Sequence, residues 1–285
     1  MIDLRNLEEI KKLDPKNVYG STEMFASQCE QIWQDAKSIS FDQTYKDIEN
    51  IIVCGMGGSA YGGYVASSLY KNTLTVPVFS NNDYDLPEFA NDKSLIVLSS
   101  YSGSTDEVLA CAQRAYEKKL KVTGITSGGK LGQLLQSHGS PHLLFNPKFN
   151  PSGQPRLGTG YMVLGLLVLL SGAGVLQIED NKIVQAVEEL RKNQESVKSD
   201  AIDMAKKLVG FIPVIFSAGF LNGNAHIIRN QFNETSKSFS AFEDLPELNH
   251  HLMEGFKNPQ DKKLVALFLE SGLYENTHKK RVLLT

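Results

Sequence analysis

Asn50-Ile51-Ile52-Val53 runs directly into Cys54-Gly55-Met56-Gly57-Gly58-Ser59-Ala60, and the reading of that junction decides the fold. A short β-branched run closed by glycines reads as a buried strand, and the residues beyond it take up helical spacing. The arrangement recurs further along: Leu95-Ile96-Val97-Leu98 leads into Ser99-Ser100-Tyr101-Ser102-Gly103-Ser104-Thr105, again ahead of a helical pattern. Two such units put two Gly/Ser-rich turns at the carboxyl ends of neighbouring strands, the edge where open α/β sheets bind ligands. A turn of small residues opening a helix offers backbone N–H groups, hydroxyl donors and the positive end of a helix dipole. Phosphate is the natural ligand of such a nest. Neither segment carries a basic residue, so one phosphate monoester suits it better than a polyphosphate.

Other readings of the glycines fare worse. A dinucleotide fingerprint on Gly55 and Gly57 is broken by Ala60, and Asp83 and Asp85 lie in a turn-like stretch rather than at a strand end. No Lys-Ser or Lys-Thr follows the glycines, which excludes a Walker loop. A tight strand-to-helix turn needs glycine for conformation alone. That accounts for one such turn, whereas two loaded with hydroxyls favour a phosphate site.

Outward from these turns, strands are expected at Ile51–Cys54, Val76–Ser80, Ser94–Leu98, Lys121–Thr126 and His142–Phe145, separated by helices. Residues 1–45 read as amphipathic helix, with Met24, Phe25, Ile32 and Trp33 on one stripe facing the first sheet. The Pro/Gly-rich stretch from Asn146 to Gly160 reads as a long connection, and such loops in compact domains are usually functional. A long helical region follows from Tyr161 to about Leu208. Its apolar start, Tyr161 to Leu176, is shorter than a bilayer span and broken by Gly165, Gly172 and Gly174. It reads as a helix buried between sheets or at a subunit contact. A second α/β series opens with the strand Phe211–Phe216, then Ala218-Gly219, a helix from Asn222 to Phe232 and a strand at Leu264–Leu269. The expected class is α/β, with two doubly wound parallel-sheet subdomains flanked by helices. They fall at 1–155, which includes the leading helices, and 211–285, joined by a helical region at 156–210.

With 29 Lys and Arg against 32 Asp and Glu, the formal net charge is −3. Basic runs do not exceed Lys206-Lys207, Lys262-Lys263 and the terminal Lys279-Lys280-Arg281, so nucleic acid is not an expected partner. Cys29, Cys54 and Cys111 lack metal spacing, and Cys54 and Cys111 read as core thiols in a reducing, cytoplasmic setting. Met1-Ile2-Asp3-Leu4-Arg5 has no apolar signal region, and no membrane association is expected. His250-His251 invites a zinc reading, but adjacent histidines rarely chelate one ion and no partner set lies nearby. Neither metal nor cofactor is expected.

An enzyme isomerising a sugar phosphate needs a carboxylate base, an acid/base group to open the ring, and a cation beside the enediolate. Glu234, His250 and Arg156 have the right chemistry. By residue type alone, Glu234 reads equally as a solvated helix end and His250 as a surface histidine.

Four ordered blocks make the case specific. Gly55-Met56-Gly57-Gly58-Ser59-Ala60, Ser100-Tyr101-Ser102-Gly103-Ser104-Thr105-Asp106-Glu107, Gln154-Pro155-Arg156 and Leu245-Pro246-Glu247-Leu248-Asn249-His250 resemble the bifunctional phosphoglucose/phosphomannose isomerase family of the sugar-isomerase (SIS) superfamily. The resemblance spans residue 50 to the end. It implies two SIS subdomains and a homodimer. It also implies that Gly58, Ser59, Ser100, Ser102 and Thr105 bind the substrate phosphate and that Arg156 stabilises the enediolate. Glu234 is implied as the base between C1 and C2. His250 is implied to assist ring opening from the partner subunit. Ser104 stands where the family usually has Asn. The sequence ends at Thr285, short of the helical segment in which relatives carry a further lysine; Lys279 and Lys280 fall too early to match it. The expected activity is interconversion of glucose 6-phosphate and fructose 6-phosphate, with mannose 6-phosphate as a further substrate. The alternatives are a sugar-phosphate sensor without catalysis or an inactive shortened relative. An aminosugar isomerase or deaminase would share the phosphate site but is disfavoured by the Pro-Glu-Leu-Asn-His block.

Overall fold

Apolar runs flanked by glycine become strands buried on both faces. In the computed structural model, which describes residues 3–258, 260–261 and 263–285, β1 (Asn50–Gly55) is buried beyond its first residue. Five parallel strands, β1, β2 (Val78–Asn81), β3 (Ser94–Ser99), β4 (Lys121–Thr126) and β5 (His142–Leu144), form one sheet in the order β2-β1-β3-β4-β5. Strand β3 is buried throughout, as expected for a parallel sheet covered on both faces. The register pairs Cys54 with Leu98 and Gly55 with Ser99, so the two Gly/Ser turns leave the sheet side by side.

The helices α1 (Leu7–Leu13), α2 (Val18–Glu23) and α3 (Phe25–Ala36) precede the sheet, and α4 (Tyr61–Leu69) follows β1. One core packs Val108 and Cys111 of α5 (Asp106–Glu117) and Leu131 and Leu135 of α6 (Gly129–Ser137) against Ile52, Ile96 and Leu98. The other joins Ile32 and Trp33 of α3 to Tyr161 and Met162 of α7 (Thr159–Gly172) and to Ile125 and Leu143. Met24 leaves the expected stripe: it caps α3 at 38 % exposure while Ile32 is fully buried.

The helical region expected from Tyr161 to about Leu208 holds two helices. Helix α7 ends at Gly172, Gly174 turns the chain at φ +77°, and α8 (Asp180–Leu208) begins afresh. Of the two sites proposed for the apolar helix, its burial lies within one unit. A Cβ at Gly165 would stand 2.3 Å from Ile125 Cδ1 and 3.0 Å from Ile32 Cγ1, so α7 is wedged between α3 and β4. Among the described residues no helix is long and apolar enough to cross a membrane.

The chain divides into two compact units, Met1–Gly63 with Thr73–Ser199, and Tyr64–Asn72 with Asp200–Thr285. The second holds a parallel three-stranded sheet, β7-β6-β8, from β6 (Ile212–Ala218), β7 (Ala241–Leu245) and β8 (Leu264–Phe268). Strand β7 was not anticipated because Ala241-Phe242-Glu243-Asp244 is half-exposed and acidic, without an apolar run. Helices α9 (Asn222–Glu234), α10 (Leu252–Gly255) and α11 (Asn276–Leu284) lie in this unit, with most of α4 and the end of α8. Gly57 at φ +50° and Gly219 at φ +52° each start a 3-10 turn directly after a strand.

Candidate active site

The first turn is sewn to the second by its own serine. Ser59 Oγ accepts a hydrogen bond from the Tyr101 N–H at 3.0 Å, and the Ser59 carbonyl accepts one from Ser99 Oγ at 2.6 Å. An accepting hydroxyl keeps its own proton to donate toward a ligand. Gly58 packs closely on the Arg156 backbone, since a Cβ there would lie 3.2 Å from Arg156 Cα. In the second turn, Ser100 Oγ and Thr105 Oγ1 share a hydrogen bond at 2.8 Å, and Ser100 Oγ accepts from Gly103 N–H at 3.1 Å. Ser102 Oγ accepts from Ser104 N–H at 3.3 Å, and both serines are exposed. Thr105 caps α5 without a side-chain hydrogen bond to it, which leaves backbone N–H groups at that helix start to face an anion. Gly58, Ser59, Ser100, Ser102 and Thr105 therefore belong to one sheet edge.

Arg156 lies in the 3-10 turn Pro155–Leu157, where its Nη1 donates to Gln154 Oε1 at 2.9 Å. Two residues passed over in the sequence join its loop to the second Gly/Ser turn. Tyr101 OH accepts from Asn150 Nδ2 at 2.7 Å, and the same amide nitrogen donates to the Gln154 carbonyl at 2.9 Å. Burial raises the Tyr101 hydroxyl above its ordinary pKa, partly offset by the bond from Asn150, so the hydroxyl stays neutral at physiological pH. A Cβ at Gly158 would stand 2.3 Å from the Tyr101 ring. The signal that could have found Tyr101 is a lone aromatic inside a turn of small residues.

Glu234 and His250 lie in the second unit. Glu234 is the half-buried last residue of α9, its carbonyl accepting from Lys237 Nζ at 2.6 Å. The chain beyond it is pinned by Asn233, whose Nδ2 donates to the Arg229 and Ser240 carbonyls, both at 2.9 Å. His250 ends the 3-10 turn Glu247–His250 and is exposed. The equivalent turn of this unit places Phe220 and Leu221 after Gly219, so it repeats the geometry of the first without the hydroxyls. Among the described residues no group of three His, Cys, Asp or Glu side chains is arranged to hold a metal ion.

Residues 197–285 match the family described as the bacterial phospho-glucose isomerase C-terminal SIS domain. The chain is 34 % identical to a bifunctional phosphoglucose/phosphomannose isomerase of Aquifex aeolicus, over 95 % of this chain and 80 % of that protein. It is 32 % identical to an enzyme of the same name from Caldicellulosiruptor bescii, over 89 % of this chain and 76 % of that one. In fold it is similar to the C-terminal domain of glucosamine-fructose-6-phosphate aminotransferase from Francisella tularensis, with a TM-score of 0.65 at 17 % identity over 92 % of this chain and 76 % of that chain.

Proposed function

The chain belongs to the bifunctional phosphoglucose/phosphomannose isomerase family, and from that premise we propose that it interconverts aldose and ketose hexose 6-phosphates through a cis-enediol. The substrates are glucose 6-phosphate and fructose 6-phosphate, with mannose 6-phosphate as a second aldose. The observation that carries this reading is the pair of stitched turns at the β1/β3 edge, with the Arg156 backbone against Gly58.

The 6-phosphate is held by the hydroxyls of Ser59, Ser100, Ser102 and Thr105 and by the backbone around Gly58. Each charge-assisted bond contributes about 1.5–3 kcal/mol before desolvation. With the phosphate fixed, the rest of the sugar reacts as if intramolecularly. The Glu234 carboxylate takes the proton from C2 of the open aldose, and the C1 carbonyl oxygen gains the displaced charge. Arg156 opposes that charge without itself exchanging a proton, since guanidinium stays protonated. Return of the proton to C1, with transfer of the hydroxyl proton from O2 to O1, completes the ketose. His250 assists ring opening from the partner subunit of a homodimer. The setting is the cytoplasm, in carbohydrate metabolism, and the reaction requires no redox cofactor because hydrogen only moves between neighbouring carbons.

The test is turnover of fructose 6-phosphate in deuterated water, read through a coupled glucose-6-phosphate dehydrogenase. Glu234→Gln is expected to lower kcat by about 10²–10⁴, the usual contribution of a general base, while saturable binding persists. Wild-type protein should wash deuterium into C2. Full activity in Glu234→Gln removes it as the base. Binding without turnover or exchange in the wild type favours a sugar-phosphate sensor.

A further inference from the structure

We propose that Gln28, on a helix that precedes the sheet and carries none of the four blocks, is the positioning residue that holds Arg156 at its working distance from the phosphate turns. The inference rests on the functional reading above, in which Arg156 faces the enediolate. It is drawn from where the polar atoms of one buried amide go.

Gln28 is completely buried. Its Nε2 donates to the Leu157 carbonyl at 2.9 Å and to the Phe149 carbonyl at 3.0 Å, and its Oε1 accepts from the Gly160 N–H at 3.1 Å. These three partners are backbone groups of the loop that carries Arg156, at its entry and at its exit; a longer bond from Nε2 reaches the Ser21 carbonyl at 3.5 Å. A buried amide with both ends satisfied is costly to disturb, because each orphaned partner then carries its full desolvation penalty.

These contacts stand in for local structure that the loop cannot supply. Gly160 is the second residue of α7, and its N–H is among the four that a helix start leaves without intrahelical partners. A serine or aspartate at the cap would ordinarily satisfy it. The cap here is Gly158, and no larger residue fits because the Tyr101 ring occupies the space of a Cβ. The cap is therefore delivered from α3. Gly160 makes this possible, since a Cβ on it would come within 2.7 Å of Gln28 Cβ. The same Gln28 amide takes the Leu157 carbonyl, one residue beyond Arg156. Gln31, one turn along α3, grips the loop independently: its Nε2 donates to the Asn146 carbonyl at 2.8 Å and its Oε1 accepts from Tyr161 OH at 2.8 Å.

The consequence is geometric. The phosphate turns are sewn to each other without help from Gln28, through Ser59, Ser99 and Tyr101. Arg156 is brought against them by the loop, with its Cα 3.2 Å from where a Gly58 Cβ would stand. Loosening the grip moves Arg156 relative to a sugar whose phosphate stays anchored. A misplacement of about 1 Å can cost on the order of a hundredfold in rate.

The experiment is a double-mutant cycle on the full chain with Gln28→Met, which keeps the length and removes the hydrogen bonds, and Arg156→Ala. Gln28→Met alone is expected to lower kcat about 10–100-fold, with the dissociation constant for inorganic phosphate changed less than about twofold because that subsite is untouched. In the Arg156→Ala background, Gln28→Met is expected to cost nothing further, since non-additivity marks residues acting through one another. Gln28→Glu, isosteric and retaining the acceptor for Gly160 but turning an oxygen toward the Phe149 and Leu157 carbonyls, is run in parallel and should lower kcat at least as far as Gln28→Met. Additive losses, an unchanged kcat in Gln28→Met, or a matching loss of phosphate affinity would overturn the proposal. So would failure of both Gln28 variants to fold, which would make the amide a determinant of the fold alone. An Arg156→Ala protein with full activity would sink the functional reading itself, a result distinct from these.

Discussion

Gly103 carries a constraint that no other residue can meet. Its φ is +66°, and a Cβ would stand 1.8 Å from the Gly128 carbonyl oxygen, a backbone atom that cannot rotate away. Gly103→Ala is expected to destabilise the protein by about 1–3 kcal/mol and to raise KM for the sugar phosphate. Urea titration and steady-state kinetics check both, and an unchanged KM would detach this turn from the phosphate. His226 stacks on Tyr64 at 4.4 Å between ring centroids and lies 4.5 Å from Phe242, with Arg229 Nη2 3.4 Å from its Nδ1. Burial, and then the Arg229 charge, push its pKa down to about 4 from an ordinary 6.5. The unfolded chain therefore takes up a proton that the folded one refuses as pH falls between those values. Stability contributed by neutral His226 is present above pH 6.5 and lost progressively toward pH 4. The thermal midpoint of wild type is expected to fall more steeply across that window than that of His226→Phe, which preserves the stacking. Parallel curves would show that His226 does not titrate in this way.

At the scale of elements, the buried side of α3 does two kinds of work. Ile32 and Trp33 enter the core beside α7, while Gln28 and Gln31 hold the backbone of the loop between β5 and α7. Trp33 is the only tryptophan, so its fluorescence reports the docking of this helix. Ile32→Ala is expected to cost about 2–5 kcal/mol, since a fully buried aliphatic leaves a cavity that its neighbours fill incompletely. Tryptophan fluorescence and far-UV circular dichroism should show whether α3 undocks alone or with the sheet. A loss under about 1 kcal/mol would mean that the helix closes over the gap.

At the scale of the whole molecule, a site that takes His250 from a partner subunit predicts complementation between inactive chains. Glu234→Gln and His250→Ala chains are each expected to be inactive alone. Mixed after reversible dissociation in equal amounts, half the dimers are mixed, and each regains one intact site. Activity should return to about a quarter of wild type in such a closed twofold assembly. No recovery, or a monomer in sedimentation with full activity, would refute a shared site. The α/β character of both units, the two Gly/Ser-rich turns at the edge of the first sheet and the apolar character of α7 were legible in local sequence. Strand β7 was not, because Glu243 and Asp244 mask its pattern. Gln28 and Asn150 were not, because a glutamine or asparagine reads as solvated until its burial is known.

By itself the sequence determined what local chemistry can encode: β-branched runs that make buried strands, glycines and hydroxyls that make the strand-to-helix turns, and four ordered blocks that carry the family. Only the tertiary structure decided which distant groups meet: Tyr101 against Gly158 and Asn150, Arg156 against Gly58, and Gln28 as the cap of a helix far along the chain. The physical reason is that periodicity and turn propensity act over a few residues. The partner of a buried polar atom is chosen by whichever backbone the whole fold leaves unsatisfied beside it.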